Sequence, residues 1–475
     1  MSNDVKHQRA EYTNMLVSME KNRLAVSGQR AVRAAGTKCL APLASMLCST
    51  NYNQSSGVTS VSYSAIMTSE GLAKYNKYLN NAYFFGASGI TVSGMSGLIS
   101  AKRPVKNLPA SVEYLNDNAN GKGQTLRDFT TDAVNEAFTT VRSGILVARP
   151  STPAGASELD VEQQNLRPKL LHYKFESIIN WDYTTVNNEE KLSLLVLVEQ
   201  TTERKGFEVK TVNQYRVLEL IESVYHQSLY DEDGNEVNPP APVIVNGSKA
   251  NEIPFYWIVA ETQIKAVIDD LVDANYEHYN IYADYGSKLH YSSFIIYTET
   301  GVQNGNSTNV IIGNGVKWNG SDNASFGILQ PDGNADSHRL ALQDTETRMA
   351  ALGADMLKPR ASGAESAEAK SLDKVAQNST TANVAITVSG AVTQAINFAS
   401  RWMGGTEDTE YMLNTDYNPT GMDANMLNAL WATTLAGGMS YQTFYENIQR
   451  GEIANTERTA DEEQALIVVA ETGME

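Results

Sequence analysis

Asp269, Asp273, Glu277 and Asp284 lie in one run, DDLVDANYEHYNIYADYGSKLH, which spans 269–290. On a helix these four fall within about 100° of one another, with Asp270 at the margin. Carboxylates so gathered could act as a catalytic acid–base pair. A stripe this long is more often a solvated face, or a charged face turned to a channel or a neighbouring subunit. Ser371-Leu372-Asp373-Lys374 matches the Ser-x-x-Lys of acyl-enzymes, but its small, polar surroundings are not the buried helix start such a nucleophile needs. Gly313-Asn314-Gly315 lacks the strand-then-helix setting of a phosphate cradle, and no Gly-Lys-Ser/Thr occurs. Cys39 and Cys48 have no His/Cys cluster beside them and read as reduced, buried thiols of a cytosolic protein. With six scattered histidines, neither a metal site nor a cofactor is expected, and the chain does not read as an enzyme.

The acids belong to a long helix. From about Glu261 to Ser287 there is no proline, and no glycine before Gly286. That span is roughly 40 Å of helix. Ile264, Ile268, Leu271, Asn275, His278, Tyr282, Tyr285 and Leu289 recur at steps of four and three, a packing seam with a polar middle. Asn275 and His278 are placed to set its register. A second helix is expected over 336–357, its seam Leu342, Thr345, Met349, Leu352 and Met356. Between them, 288–335 holds short β runs joined by Gly/Asn turns, a unit too small for much core of its own. The order is long helix, compact β tip, long helix, which makes the helices a stalk.

Around this stalk the chain changes period. EYTNMLVSMEKNRLAVSGQRAVRAAGTKCLAPLASML carries helical spacing until Pro42, and a Ser/Asn-rich linker follows at 49–62. Helical patterns resume from Ser69, and Leu126, Phe129, Ala133, Ala137 and Val141 share one side of a helix that leads into the strand ILVAR. Residues 168–237 are β-branched and aromatic runs forming an antiparallel sheet, with a hairpin signal at Asp233-Gly234 and a closing proline cluster at 238–242. Residues 358–378 are small and polar, a mobile loop or weak helix. An Ala-rich helix at 379–404 ends at Gly404-Gly405, and a short helical pair turning at Gly437-Gly438 precedes an acidic tail.

A 475-residue chain with 42% hydrophobic and 19% charged residues is globular, with room for two or three domains. Its net charge of −18 argues against wrapping nucleic acid through a broad basic surface, though not against letting a duplex slide past. The charge is uneven: residues 1–40 are net basic, whereas 401–475 carry thirteen acids against Arg401, Arg450 and Arg458. No signal-peptide core and no apolar stretch of about 18 residues is present, so the chain is expected to be soluble where it is made and to have no membrane partner.

An ordered set of segments resembles the portal (head–tail connector) proteins of tailed double-stranded DNA bacteriophages, in the short-tailed branch. The set comprises YLNNAYFFGASGITVSGMSGLISAKRP, LRDFTTDAVNEAFTTVRSGILVARP, YKFESIINWDY, EIPFYWIV with LVDANYEHYNIYADYGSKLHY, ALQDTETRMAALGADML, ESAEA and LNALWATTLAGGMSYQTFYENIQRGE. It covers most of 70–452. The chain departs from the family's usual Gly-Arg-x-Gly at Val141-Arg142-Ser143-Gly144 and from its Asp-x-Pro at Ala148-Arg149-Pro150. The resemblance implies an α+β fold with a mainly helical wing and crown, antiparallel sheet in the wing, a two-helix stem and a small α/β clip. The implied division is wing 1–260, stem helices 261–287 and 336–357, clip 288–335, tunnel loop 358–378, a long wing/crown helix 379–404, and crown with acidic tail 405–475. It further implies a ring of twelve copies at one capsid vertex of the virion, assembled in the host bacterial cytoplasm. The clip would dock the large terminase subunit and then the tail adaptor, the major capsid protein would surround the wing, and double-stranded DNA would pass through the channel. Lys358, Arg360, Lys370 and Lys374 are candidate DNA contacts, and Asp269, Asp273, Glu277 and Asp284 a candidate channel or subunit face.

Overall fold

Gly28, at φ +82°, divides the first helical pattern into two, α1 (Ala10–Ser27) and α2 (Gln29–Ala35). Its amide closes on the carbonyls of Leu24 and Ala25, the helix-ending geometry that glycine adopts without a Cβ penalty. The expected single run to Pro42 is therefore two helices. The computed structural model describes residues 4–43, 46, 69–148, 163–164, 166–186, 188–259, 264–292, 296–300, 325–329, 334–353, 367–415, 417, 424–451, 453–455 and 458–472. The linker at 49–62 and Cys48 lie outside these residues; Cys39 is buried and free. Two compact units divide the chain, 1–415 and 416–475.

In the first unit α3 (Ser69–Asn81) and α4 (Ala87–Ser100) bury one stripe each: Gly71, Tyr75 and Tyr78, then Ala87, Thr91, Val92, Met95 and Ile99. After the short strand β1 (Val105–Asn107) comes α5 (Leu126–Thr139), started by Thr125, whose hydroxyl accepts the Asp128 amide at 3.1 Å. Strands β2 (Gly144–Ala148) and β3 (Lys169–Tyr173) follow. An antiparallel meander then runs through β4 (Ile178–Val186), β5 (Glu189–Lys205), β6 (Glu208–Ile221), β7 (Val224–Tyr230) and β8 (Glu236–Pro242). The proline cluster is the meander's outer strand rather than its end, because proline donates nothing to a ladder and an edge does not ask it to. The small pair β9 (Ile244–Val245) and β10 (Ser248–Lys249) precedes β11 (Phe255–Trp257).

The run KLLHYKFESIINWDY, expected in one sheet, divides between two. β3 joins β2 and β11 in a three-stranded sheet, while β4 opens the meander. Gly144 stands opposite Tyr173 and Trp257 in that smaller sheet, and a Cβ there would overlap the Phe255 ring. Arg142 joins the two sheets. It is buried, its guanidinium 3.9 Å above the Trp181 ring and 6.0 Å from that of Trp257. An ionic group around the buried Glu136, its other members half-buried, fixes α1 to α5. Arg23 donates to both Glu136 oxygens at 2.9 and 2.6 Å and to Glu176 at 2.5 Å, and Glu136 also takes the Thr140 hydroxyl at 2.9 Å.

Next come the helix α6 (Asp269–Ser292), the paired strands β12 (Ile296–Thr300) and β13 (Ser325–Leu329), and the helix α7 (Asp336–Ala351). The 36-residue α8 (Ala367–Trp402) packs against α4, α5, β2, β11 and the last strand, β14 (Glu410–Met412), which pairs with β1. Mixed helix and antiparallel sheet without a closed barrel is an α+β fold.

The second unit holds α9 (Ala424–Leu435), α10 (Tyr441–Arg450) and α11 (Ala460–Thr472). α9 and α10 turn at Gly437, φ +75°, and meet through the Trp431 and Phe444 rings, 5.1 Å apart. The expected acidic tail contains α11, whose start is a capping box. Glu462 accepts the Thr459 amide at 2.8 Å, and Thr459 accepts that of Glu462 at 3.3 Å. No helix among the described residues is long and apolar enough to cross a membrane.

Candidate functional site

The site is formed by α6, the antiparallel strand pair β12–β13 and α7. Its first helix begins at Asp269 and not at 261. Asp269 reaches back three residues, its Oδ2 taking the Ala266 amide at 2.9 Å, and negative charge at a helix start suits the macrodipole. Ile264, assigned to the packing seam, is therefore five residues upstream of the helix and 80% exposed. At the other end α6 runs through Gly286 to Ser292, beyond the expected stop.

Ile268 and Leu271 are buried as core residues, and Leu271 meets Met349 of α7 in a cluster with Ala87 and Ala274. The two alanines allow helix backbones to approach closely. Leu342 is buried on α7, but Leu352 is 40% exposed. Leu352 caps the helix, donating its amide to the Arg348 carbonyl at 3.0 Å, and Gly353 at φ +126° turns the chain away. Met356 lies outside the described residues.

The polar middle of the seam is fully engaged on one side. Asn275 is buried: its Oδ1 accepts the Ser88 amide at 3.2 Å and hydroxyl at 3.1 Å, and its Nδ2 donates to the Phe85 carbonyl at 2.5 Å. His278, also buried, packs between the rings of Phe85 and Tyr282, with Nε2 3.4 Å from Glu346 Oε1 on α7. Burial pushes the His278 pKa down, and Glu346 opposes that shift.

The four acids go different ways. Asp269 Oδ1 accepts Asn22 Nδ2 of α1 at 2.6 Å, Asp284 accepts the Tyr78 hydroxyl of α3 at 2.8 Å, and Glu277 pairs with Arg348 of α7 at 2.9 Å. Asp273 is exposed. Three of the four thus have partners inside the chain. Asn22, Tyr78, Ser88, Glu346 and Arg348 had no signature in the sequence, because each meets α6 from a distant segment.

The expected tunnel loop at 358–378 is helical from Ala367, so Lys370 and Lys374 stand on α8, as does Ser371, while Lys358 and Arg360 lie outside the described residues. Gly313 and Gly315 also lie outside them. No group of three or more His, Cys, Asp or Glu side chains able to hold a metal ion occurs among the described residues.

A family described as a domain of unknown function (DUF4055) matches residues 268–403, the span from α6 to the end of α8. No curated protein matches. Among solved structures the chain is similar to the neck of a native gene transfer agent (GTA) particle computed with C12 symmetry, at 10% identity and TM-score 0.38. It is also similar to the virion of a native GTA particle, at 11% and 0.37, and to the neck of an empty GTA particle computed with C6 symmetry, at 12% and 0.36. Each likeness covers 79% of this chain and 92% of the other.

Proposed function

We propose that this chain is a portal subunit, the head–tail connector of a tailed double-stranded DNA bacteriophage of the short-tailed branch. The observation that carries the reading is the unit α6–β12–β13–α7. Two helices packed on each other are separated in the chain by a pair of antiparallel strands, and α6 is fastened to the helical layer through Asn22, Tyr78 and Ser88. In this reading, which the segment-by-segment resemblance supports, 261–287 and 336–357 form the stem, 288–335 the clip and 1–260 the wing.

In this reading twelve copies close around a pore at one capsid vertex, with the major capsid protein around the wing. The clip meets the large terminase subunit during filling and the tail adaptor afterwards. Each copy contributes a net charge of −18, so the wall repels phosphate and the duplex moves without the adhesion that a basic channel would impose. Lys370 and Lys374, with Lys358 and Arg360, supply exchangeable phosphate contacts. No catalysis is assigned to the chain.

Electron microscopy of the purified protein tests the reading. Rings with a central hole and twelvefold averages are expected; monomers or trimers would overturn it and favour another head-completion or tail protein. Replacing 296–329 by a short Gly-Ser linker is expected to leave rings intact and abolish terminase binding. Changing Lys358, Arg360, Lys370 and Lys374 together to Ala is expected to alter DNA retention in filled heads and not ring formation; unchanged retention removes the proposed DNA contacts.

A further inference from the structure

Two strands of the meander outrun their neighbours. β4 leaves β5 at the Ile178–Leu197 pair, and β7 leaves β6 at the Tyr230–Tyr215 pair. The β5–β6 ladder continues alone from Glu199–Gln214 to Lys205–Glu208, seven pairs. That is an arm about 20 Å long. Gly206, at φ +65°, turns it, and Phe207 at the tip is 100% exposed. Thr202 stands opposite Thr211, and Arg204 opposite Val209, which is 59% exposed. The tip sequence RKGFEVK has three bases to one acid in a chain of net charge −18; Lys210 is paired with Glu232 at 3.1 Å, which leaves Arg204 and Lys205 beside the Gly206 turn as the bases of the tip, with Glu203 behind them. A two-stranded ribbon is marginal in water unless something packs on it.

The opposite end of the same sheet is acidic. Glu189 and Glu190 open β5, Glu219 lies near the end of β6 and Glu222 in the β6–β7 turn, all exposed, with Ile221 38% exposed beside them. Glu222 and Ser223 hold positive φ and turn that end outward. Arg204 donates to the Gly206 carbonyl at 2.8 Å, which keeps its guanidinium at the tip.

We propose that the β5–β6 arm of one copy docks on the acidic sheet end of a second copy, Phe207 against Ile221 and Arg204 beside Glu219 and Glu222. The charges are complementary and the two patches differ, so the contact is heterologous and repeats head to tail, as a closed ring requires. This inference rests on the ring reading above and names the surfaces that join its subunits.

Sedimentation velocity and electron microscopy of the full chain test it. Phe207→Ser with Arg204→Glu is expected to raise the concentration needed for assembly at least tenfold, with an unchanged melting profile for the unassembled chain because both positions are exposed. Glu219→Arg with Glu222→Arg is expected to do the same, and combining it with Arg204→Glu to restore assembly. Phe207→Cys with Ile221→Cys is expected to crosslink copies under oxidation where the wild type does not. If the wild type forms no rings, the portal reading fails, and the crosslink alone decides the arm contact. If rings form but the arm variants assemble unchanged and no crosslink appears, the arm contact is overturned and the portal reading stands.

Discussion

Asn22 Nδ2 stands 2.6 Å from Asp269 Oδ1, a bond between residues 247 apart in sequence. The same amide donates to the Thr139 carbonyl at 2.9 Å, so one buried side chain joins α1, the end of α5 and the start of α6. Asn22→Leu leaves both acceptors without this donor. A loss of about 2–4 kcal/mol in denaturant unfolding is expected; a loss below about 0.5 kcal/mol would show that the junction is not held there.

Glu277 and Arg348 form the visible bridge between α6 and α7, yet both are about half exposed, at 47% and 51%. Solvent screens such a pair, and a double-mutant cycle is expected to return less than about 1 kcal/mol. Asn275→Ala, by contrast, takes the acceptor from both the Ser88 amide and hydroxyl in the core, while the Phe85 carbonyl keeps the Ala87 amide, and about 2–3 kcal/mol is expected. The reverse ranking would move the main fastening of α6 from its buried side to its surface.

Gly144→Ala places a methyl group in the Phe255 ring. The ring is packed at 4.9 Å against Trp257 and cannot swing freely. A cost of about 1–3 kcal/mol is expected, with partial recovery in Gly144→Ala combined with Phe255→Leu. A single variant of unchanged stability would mean that the β2–β11 pairing differs from the one described.

Acid is expected to destabilise the fold in two stages. Burial pushes His172 down to about 4 from 6.5, with Glu136 and Asp132 opposing and Lys174 and Arg23 reinforcing the shift. Between those values the unfolded chain binds a proton that the folded chain refuses, so stability falls as pH drops from about 6.5 towards 4. The whole fall is on the order of 3 kcal/mol. Burial raises the Glu136 carboxyl, but the bonds and charge of Arg23 outweigh it and hold the group below 4.5. That contribution is present above 4.5 and is lost at lower pH. His172→Asn is expected to flatten the upper stage of a stability–pH profile and leave the lower one.

Legibility followed periodicity. The stripes of α3, α4 and α5, the meander strands and the Leu271 and Met349 positions could be read because each repeats at a helical or strand period. What failed was set by partners elsewhere in the chain. Ile264 continues the spacing of α6, yet Asp269 turns back to Ala266 and begins the helix after it. The polar stretch at 358–378 reads as a mobile loop or a weak helix, and from Ala367 the second holds: Ala367, Ala369, Lys370, Leu372 and Lys374 are strong helix formers contiguous with an apolar helix, and extending a helix costs less than starting one. The Thr459–Glu462 box has a sequence signature, a Thr followed three residues later by a Glu, set within an acidic run. The Asn22, Tyr78 and Ser88 contacts were beyond reach, since nothing in local spacing says which face of a distant helix will arrive.

The unbroken α8 has a mechanical consequence. Its 36 residues span about 54 Å, and Val388, Val392, Ile396 and Ala399 are buried along its later half. With the helix continuous from Ala367 into that gripped half, a twist applied at Ala367 reaches Trp402 as torque. Inserting one residue near 375 would rotate everything upstream by about 100° against the half held in the core.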